Sequence, residues 1–527
     1  MNFVLGSGPA SISAATALAS RGLPVTILDV GRTLEPQRKS VLDRLSRQEP
    51  EQWDARDLEL LRGGDQKARE GSIHVKLSYG SEYPYSNPAI PLTGSHPGFH
   101  YSSARGGLSN VWGASLLPFL DKDIAEWPVS AADLAPHYRA VLDFVPSTAV
   151  RDELEEILPT FTKREDPLKP SQQATEFLND LRARKRGLAR ARIHFGQSRM
   201  AVTASGDETH HPCVYRGLCL YGCPYSLIYS TAQTLDKLLA RNAVHYIKDH
   251  AVERIEQRNG TVTIFARDLS KNQSVKFEAA RVFVGCGILP TAHIVLNSLG
   301  LFDREITMLD SQYFIYPFFR LSRTPCVETE LLHSLAQLFM EIDDPRVSRH
   351  LVHMEIFSYS DFLKRALEQT ALGIFFKSRF LADQILGRLL VFQCFLHSDD
   401  SSRMRVVLRK NENGVPQLHV TGERNFHSFW TSIKAGLKLT ANALRLRGMP
   451  VVPAIQFAEP GRSYHSGGSF PMRKNPRELE TDALGRLPAW DRVHLVDASV
   501  FPSIPATTIT LGVMANAHRI ATQSAEL

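Results

Sequence analysis

The chain opens on a short apolar run at 2–6, Asn2-Phe3-Val4-Leu5-Gly6, with the length and composition of a buried strand. A glycine turn follows, then an alanine-rich helical segment at 10–20. After Gly22 comes a second apolar run, Pro24-Val25-Thr26-Ile27-Leu28-Asp29. This order predicts a β-α-β unit at the start of the chain. Residues 31–75 are charged and mostly helical in pattern. Residues 80–118 are rich in Gly, Ser, Tyr and Pro and read as loops. Helical patterns at 130–145 and 170–190 flank a proline-containing connection. Alternation returns at 243–284, where Asn259-Gly260 between two apolar runs predicts a tight hairpin. The strand pattern at 281–284 runs into Gly285-Cys286-Gly287 and another helix. Residues 301–455 mix strands with amphipathic helices, and 461–527 are dense in Gly, Ser, Thr and Pro before a last helix. No internal repeat or low-complexity linker separates these blocks, so the domains are expected to be interleaved.

Composition sets bounds on this picture. The 527 residues are 43% hydrophobic and 22% charged, which excludes disorder, collagen and coiled coil as global answers and suggests two or three domains. A net charge of +6 is too dilute over this length to argue for nucleic acid. No run approaches the roughly 18 uncharged apolar residues of a membrane span; the most apolar stretch, 389–396, is strand-length and contains Gln393. The chain enters its first strand without a charged leader, so a cytoplasmic location is expected. Six cysteines do not make a disulfide scaffold.

Gly6-Ser7-Gly8-Pro9-Ala10-Ser11 fits a dinucleotide-binding turn between strand and helix. Gly6 permits the tight turn, Gly8 lets backbone approach a pyrophosphate, and the small residues Ala10 and Ser11 let helix and strand pack closely. Pro9 opens the helix, whose N-terminus presents free N–H groups and a positive dipole end to phosphates. Asp29 ends the second strand, where a carboxylate can accept hydrogen bonds from ribose hydroxyls. FAD is favoured as the dinucleotide because the fingerprint stands at the start of a long chain with no second convincing copy.

Four further segments, in order along the chain, resemble the glucose-methanol-choline (GMC) oxidoreductases. Gly106-Gly107-Leu108-Ser109-Asn110-Val111-Trp112-Gly113 is similar to that family's flavin-facing segment. The stretch at 282–298 is similar to its second signature. Tyr464-His465-Ser466-Gly467-Gly468-Ser469-Phe470-Pro471-Met472 is similar to its histidine-containing stretch, and Val496-Asp497-Ala498-Ser499-Val500-Phe501-Pro502 to its C-terminal FAD-binding segment. The resemblance implies an α/β fold: a Rossmann-like FAD-binding domain from 1–124, 196–300 and 459–527, with an inserted α+β substrate domain from 125–195 and 301–458 built on an antiparallel sheet. It implies an alcohol dehydrogenase or oxidase of the EC 1.1 class, oxidising a CH–OH group of a sugar-like, sterol-like or other bulky substrate by hydride transfer to flavin N5. His465 would be the general base; an imidazole suits that work because its ordinary pKa lies near neutrality. Gly106, Gly107, Ser109, Asn110, Trp112, Val252, Gly285, Asp497, Ala498 and Thr508 join the expected cofactor contacts. No histidine stands between Gly106 and Gly113, so non-covalent FAD is expected.

The chain departs from the family pattern at Thr508, where most members place His or Asn. A threonine hydroxyl can orient a substrate but cannot act as a base at neutral pH. This motivates an alternative, a flavin-bearing lyase or isomerase with no net oxidation. A non-catalytic binding protein on the same scaffold is a third reading. Cys213, Cys219 and Cys223, the last followed by Pro224, form a second cluster. Structural thiols, an iron–sulfur cluster, and zinc with a fourth ligand from His210 or His211 are the readings open for it. The segment 361–389 carries Lys364, Arg365, Lys377, Arg379 and Arg388 among apolar residues such as Phe362, Leu363 and Phe375. It reads as a helix packed on the substrate domain or as an interfacial helix giving peripheral membrane contact and entry for a lipid-linked substrate. The electron acceptor is left open.

Overall fold

The computed structural model describes residues 1–63, 76–86, 89–95, 100–206, 211–369 and 371–526. Its centre is a five-stranded parallel sheet in the order Val493–Leu495, Arg281–Val284, Asn2–Leu5, Val25–Leu28, His245–Ile247. Strands buried on both faces must be apolar throughout, as Phe3-Val4-Leu5 and Val282-Phe283-Val284 are. The register pairs Leu5 with both Leu28 and Val284, and Val284 with Leu495. The chain therefore leaves four strands at one level, and Gly6, Asp29, Gly285 and Asp497 all follow at the same sheet edge.

Helix Pro9–Ala19 returns from that edge and packs on the last helix, Thr510–Ser524. Their close approach rests on small residues: Ser13 Oγ donates to the Met514 carbonyl at 2.6 Å. Behind the sheet lies a three-stranded antiparallel unit, His250–Arg258, Thr261–Asp268 and Gln273–Ala279. Its first turn is the expected Asn259-Gly260 pair, with φ of 51° and 78°, the left-handed values a two-residue hairpin of this twist requires.

A larger antiparallel sheet follows the order Gly448–Pro450, Tyr313–Arg320, Leu389–Phe395, Val352–Phe357, Leu338–Ile342, Ile193–Gln197. Strict alternation gives it two faces. Phe314, Tyr316, Phe318, Phe392, Cys394 and Met354 pack with Phe177 of helix Gln172–Arg182 and with Ala435 and Leu439 of helix Phe426–Ala441. The Phe318 and Phe392 rings stack 4.4 Å apart. The opposite face presents Tyr313, Gln393, Phe395, Glu355 and Phe357 to a cavity above the parallel sheet. A third sheet, Glu305–Asp310, Arg403–Lys410 and Pro416–Glu423, joins the two halves: one edge pairs with Ser466–Gly467 and the other with Leu92–Thr93.

The segment expected to be helical at 361–389 is broken into helix Asp361–Glu368, a 3₁₀ segment Ala371–Lys377 and helix Arg379–Leu386, before strand Leu389–Phe395. Ser360 and Ser378 each cap a new helix, accepting from the N–H of Leu363 and Leu381. At Gly373 the backbone passes so close to the Glu368 carbonyl that a Cβ would lie 2.3 Å from it. No helix among the described residues is long and apolar enough to cross a membrane.

Candidate active site

A cavity of about 460 Å³ runs from the carboxyl edge of the parallel sheet to the inner face of the antiparallel one. Ligand clefts in open α/β sheets lie at this edge. Gly6, Gly8, Pro9, Ala10, Asp29, Gly107, Ser109, Trp112, Val252, Gly285, Asp497, Ala498, Thr508 and His465 all line it. Ser11, Gly106 and Asn110 stand behind the lining.

The first turn has the packing its motif demands. Gly6 has φ of +89°, and a Cβ there would meet the Gly285 carbonyl at 3.2 Å. Ser11 Oγ donates to the carbonyls of Leu5 (2.8 Å) and Gly285 (2.9 Å), which locks helix to strands. A Cβ built on Gly8, by contrast, meets nothing within 4 Å, although Gly107 lies so near that its own Cβ would fall 3.1 Å from the Gly8 Cα. Gly8 thus faces open cavity. Asp29 accepts hydrogen bonds from Ser7 Oγ (2.5 Å) and Tyr246 Oη (2.9 Å), and burial pushes its carboxyl up to about 6. Ser7 Oγ in turn accepts from the Gly106 N–H at 2.9 Å, tying the 106–113 segment to the fingerprint turn.

Helix Ile288–Ser298 begins at the same cavity, and Asp497 holds its start. The Asp497 carboxylate accepts from the Gly287 N–H (3.0 Å), Thr291 Oγ1 (2.6 Å) and the Ser499 N–H (3.0 Å). Two helix N-termini capped by glycines without side chains, at Gly8 and Gly287, therefore face one end of the cleft, where Asp29 and Asp497 also stand. A dinucleotide fits this donor set: amides for a pyrophosphate, Asp29 for a ribose and an open cradle at Gly8.

The residues of the 106–113 segment divide. Ser109 Oγ donates to the Gly106 carbonyl (2.5 Å) and accepts from the Thr231 N–H (3.0 Å), so it anchors the loop. Asn110 turns its amide inward to the carbonyls of Arg105 (3.0 Å) and Gly107 (2.8 Å) and accepts from Ser230 Oγ (3.1 Å). Trp112 Nε1 donates to the Tyr229 carbonyl at 2.8 Å.

At the far end of the cavity His465 stacks on Phe395, centroids 4.9 Å apart, and Phe395 stacks in turn on His353 at 6.0 Å. His353 Nδ1 is held 2.6 Å from Glu341 Oε1 in the core. Burial, and secondly repulsion from His353, holds the His465 imidazole down to about 3, so it is neutral at physiological pH. Its Nδ1 is buried without a hydrogen-bond partner. Thr508 Oγ1 donates to the Ser115 carbonyl at 3.2 Å, and Ser115 Oγ donates to Glu355 Oε1 at 2.5 Å. Glu355 lines the cavity, and burial raises its carboxyl above the ordinary range. Lys76 also lines it, donates to the Trp112 carbonyl at 2.6 Å and is lowered to about 8 by burial. No motif announces Glu355 or Lys76; sheet register and loop packing bring them in.

Cys213, Cys219 and Cys223 lie close enough to act on one another electrostatically but do not close on a single ion. Among the described residues, His350, His397 and Asp399 form the group whose ligand atoms lie within 4.8 Å of one another; Cys213, Cys219 and Cys223 do not form one. Burial pushes the Cys213 thiol up to about 11 and Cys223 to about 12. The iron–sulfur reading finds no support in this geometry. His211 stacks on Tyr225 at 4.7 Å, and His210 lies outside the described residues. The His350 group is a poor cation site as well: its two imidazoles lie face to face at 3.5 Å, so their in-plane lone pairs cannot converge on one ion.

No protein-family model and no curated protein matches the sequence. Solved structures do match the fold. A pyridoxine 4-oxidase from Mesorbium loti superposes with a TM-score of 0.60 at 12% identity, covering 100% of this chain and 99% of its own. A formate oxidase from Aspergillus oryzae RIB40, solved to follow the effect of a mutation on FAD modification, gives 0.61 at 12% identity, covering 100% and 98%. The mixed α/β architecture with a large antiparallel sheet, expected from the sequence, is thus a fold this chain shares along its whole length with two oxidases.

Proposed function

We propose that this chain, which has the fold of those two oxidases, is a GMC-type FAD-dependent oxidoreductase that oxidises an alcohol group of a bulky or partly apolar small molecule. The observation that carries this reading is the convergence of Gly6, Gly8, Asp29 and Asp497 at one sheet edge, with His465 on the wall of the same cavity. Gly8, Gly107 and the N-terminus of helix Pro9–Ala19 would cradle the pyrophosphate, Asp29 the ribose, and Asp497 with Ala498 the flavin side. The cofactor would be held without a covalent link, in keeping with the absence of histidine from 106–113. When bound, FAD supplies the hydride acceptor.

The chain's own residues supply the rest. His465, neutral and braced by Phe395, would take the proton of the substrate hydroxyl; burial makes it a weak base, which negative charge beside it would strengthen. Glu355 lines the same cavity and, when ionised, would supply that charge to the imidazolium that results. Thr508 donates to the Ser115 carbonyl, and Ser115 aims Glu355, so the polar partner expected at position 508 is replaced by a carboxylate reaching in from the other sheet. Phe362 joins the lining, while Ile374, Phe375, Phe380 and Leu381 are exposed on the same broken segment; this apolar approach suits a bulky substrate over a very small one. A His465→Ala variant is expected to bind FAD normally and to lose about 10²–10⁴-fold in turnover. Full turnover by that variant sinks the base assignment. Product formed with no reduction of the flavin and no consumption of an acceptor would favour the lyase or isomerase reading.

A further inference from the structure

Helix Phe426–Ala441 packs on the outer face of the large antiparallel sheet with its small residues inward. Ser428, Thr431, Ser432, Ala435, Gly436 and Leu439 are buried. Tyr316 Oη donates to the Ser432 carbonyl, and a Cβ on Gly436 would come within 2.6 Å of the same hydroxyl. The bulky apolar residues point to solvent instead. Phe426 is 74% exposed, Trp430 53% and Leu437 57%, at the i, i+4, i+11 spacing of one helical stripe; Leu444, in the short helix that follows, is 81% exposed. Phe429 joins the stripe, its ring in contact with those of Phe426 and Trp430. Surface helices normally show the reverse pattern, and a contiguous exposed apolar face marks an interaction site.

The charge beside the stripe selects the occupant. Residues 424–450 contain five basic side chains, Arg424, Lys434, Lys438, Arg445 and Arg447, and no Asp or Glu. Arg424 pairs with Glu459 and Lys438 with Asp344. Among the described residues Lys434, Arg445 and Arg447 pair with no carboxylate. A second copy of this face would set these cations against one another, because a two-fold interface uses the same patch twice. An anionic lipid surface satisfies both features: aromatic and leucine side chains at the headgroup boundary, and cations against phosphates.

We propose that the 426–447 face docks the protein on an anionic bilayer surface. This face is distinct from the 361–389 segment. The large sheet lies between it and the cavity, which opens on the sheet's other face, so docking tethers the protein and leaves the active site to the aqueous phase. The claim does not depend on the flavin reading.

The test is co-sedimentation of the full chain with vesicles of phosphatidylcholine, alone or with about 30% phosphatidylserine. Binding is expected to the phosphatidylserine vesicles at low salt, weakened by at least about tenfold at high salt as surface charges are screened. Trp430→Glu with Leu437→Glu, and separately Lys434→Glu with Arg447→Glu, are each expected to weaken it by at least about tenfold with melting temperature and flavin content unchanged. All four side chains lie outside the core, so folding is not the readout. The proposal is overturned if the wild type stays in the supernatant, if either double variant binds as the wild type does, or if pure phosphatidylcholine serves equally well. It is also overturned if light scattering shows a dimer that Trp430→Glu with Leu437→Glu dissociates.

Discussion

Replacing Gly8 by valine separates a cofactor cradle from an ordinary packing glycine. The backbone at Gly8 is extended, with φ −70° and ψ −179°, which any residue adopts. A Cβ there touches nothing within 4 Å. In the apoprotein a less flexible unfolded chain gains about 0.4–1 kcal/mol, and a poorer N-cap costs about 1 kcal/mol, so the two nearly cancel. The added methyl groups project into the space assigned to the pyrophosphate. Overpacking of about 1–3 kcal/mol there raises the Kd for FAD by roughly 5- to 150-fold. Gly285→Ala is the contrast: its Cβ would lie 2.3 Å from Ser11 Oγ, the hydroxyl that joins Leu5 and Gly285, so the apoprotein itself loses about 1–3 kcal/mol. Titration of FAD into apoprotein, read by flavin fluorescence, gives Kd, and thermal melting gives stability. If Gly8→Val binds FAD like the wild type, or melts as early as Gly285→Ala, the cradle is not where this account puts it.

Glu355→Gln keeps the size and one acceptor of the side chain that Ser115 addresses, and removes its charge. It is expected to lower kcat about 10- to 100-fold with a smaller change in KM; unchanged kcat would remove Glu355 from the site's working groups. His350 is held between Asp123 (3.2 Å) and Asp399 (3.0 Å). Burial opposes its charge, but these two carboxylates outweigh it and raise the imidazole to about 9. The folded-state value lies above the unfolded one, so the stabilisation is complete below pH ~6.5 and is lost as pH rises through about 9. The shift corresponds to about 3 kcal/mol. With Asp399 38% exposed, screening reduces this to about 1–2 kcal/mol. The gap in melting temperature between wild type and His350→Gln should therefore close between pH 6 and 10; a gap that stays constant contradicts the charged pair.

The parts of the site readable from the sequence are those made by neighbours along the chain. Gly6, Gly8 and the helix after them form a local unit whose geometry follows from residue type, and Asp29 stands at the end of the next strand in register. Asn259-Gly260 announced its hairpin for the same reason. Side-chain direction was not readable. Asn110 lies in a segment expected to face the cofactor, yet its amide closes the loop on Arg105 and Gly107. The spacing of Cys213, Cys219 and Cys223 likewise says nothing of how closely the three sulfurs approach; they do not close to the separation that a single metal ion sets. Glu355 belongs to no motif, so nothing local in the sequence marks it. It reaches the cavity through alternation along strand Val352–Phe357 and pairing of that strand with Leu389–Phe395, which set Glu355 opposite Gln393 and His353 opposite Phe395. Long-range register of this kind is written in the whole sheet. The outward stripe of helix Phe426–Ala441 was hidden differently: its 3.6-residue period is plain, but which side meets the core depends on how closely the helix must approach Tyr316.

The most direct test of the central claim is the visible spectrum of the purified protein under anaerobic conditions, before and after adding a panel of bulky alcohols and sugars. A bound flavin whose long-wavelength band bleaches with at least one alcohol, in the wild type and not in His465→Ala, is the result predicted. A folded protein that carries no flavin and takes none up from solution would contradict the account at its root.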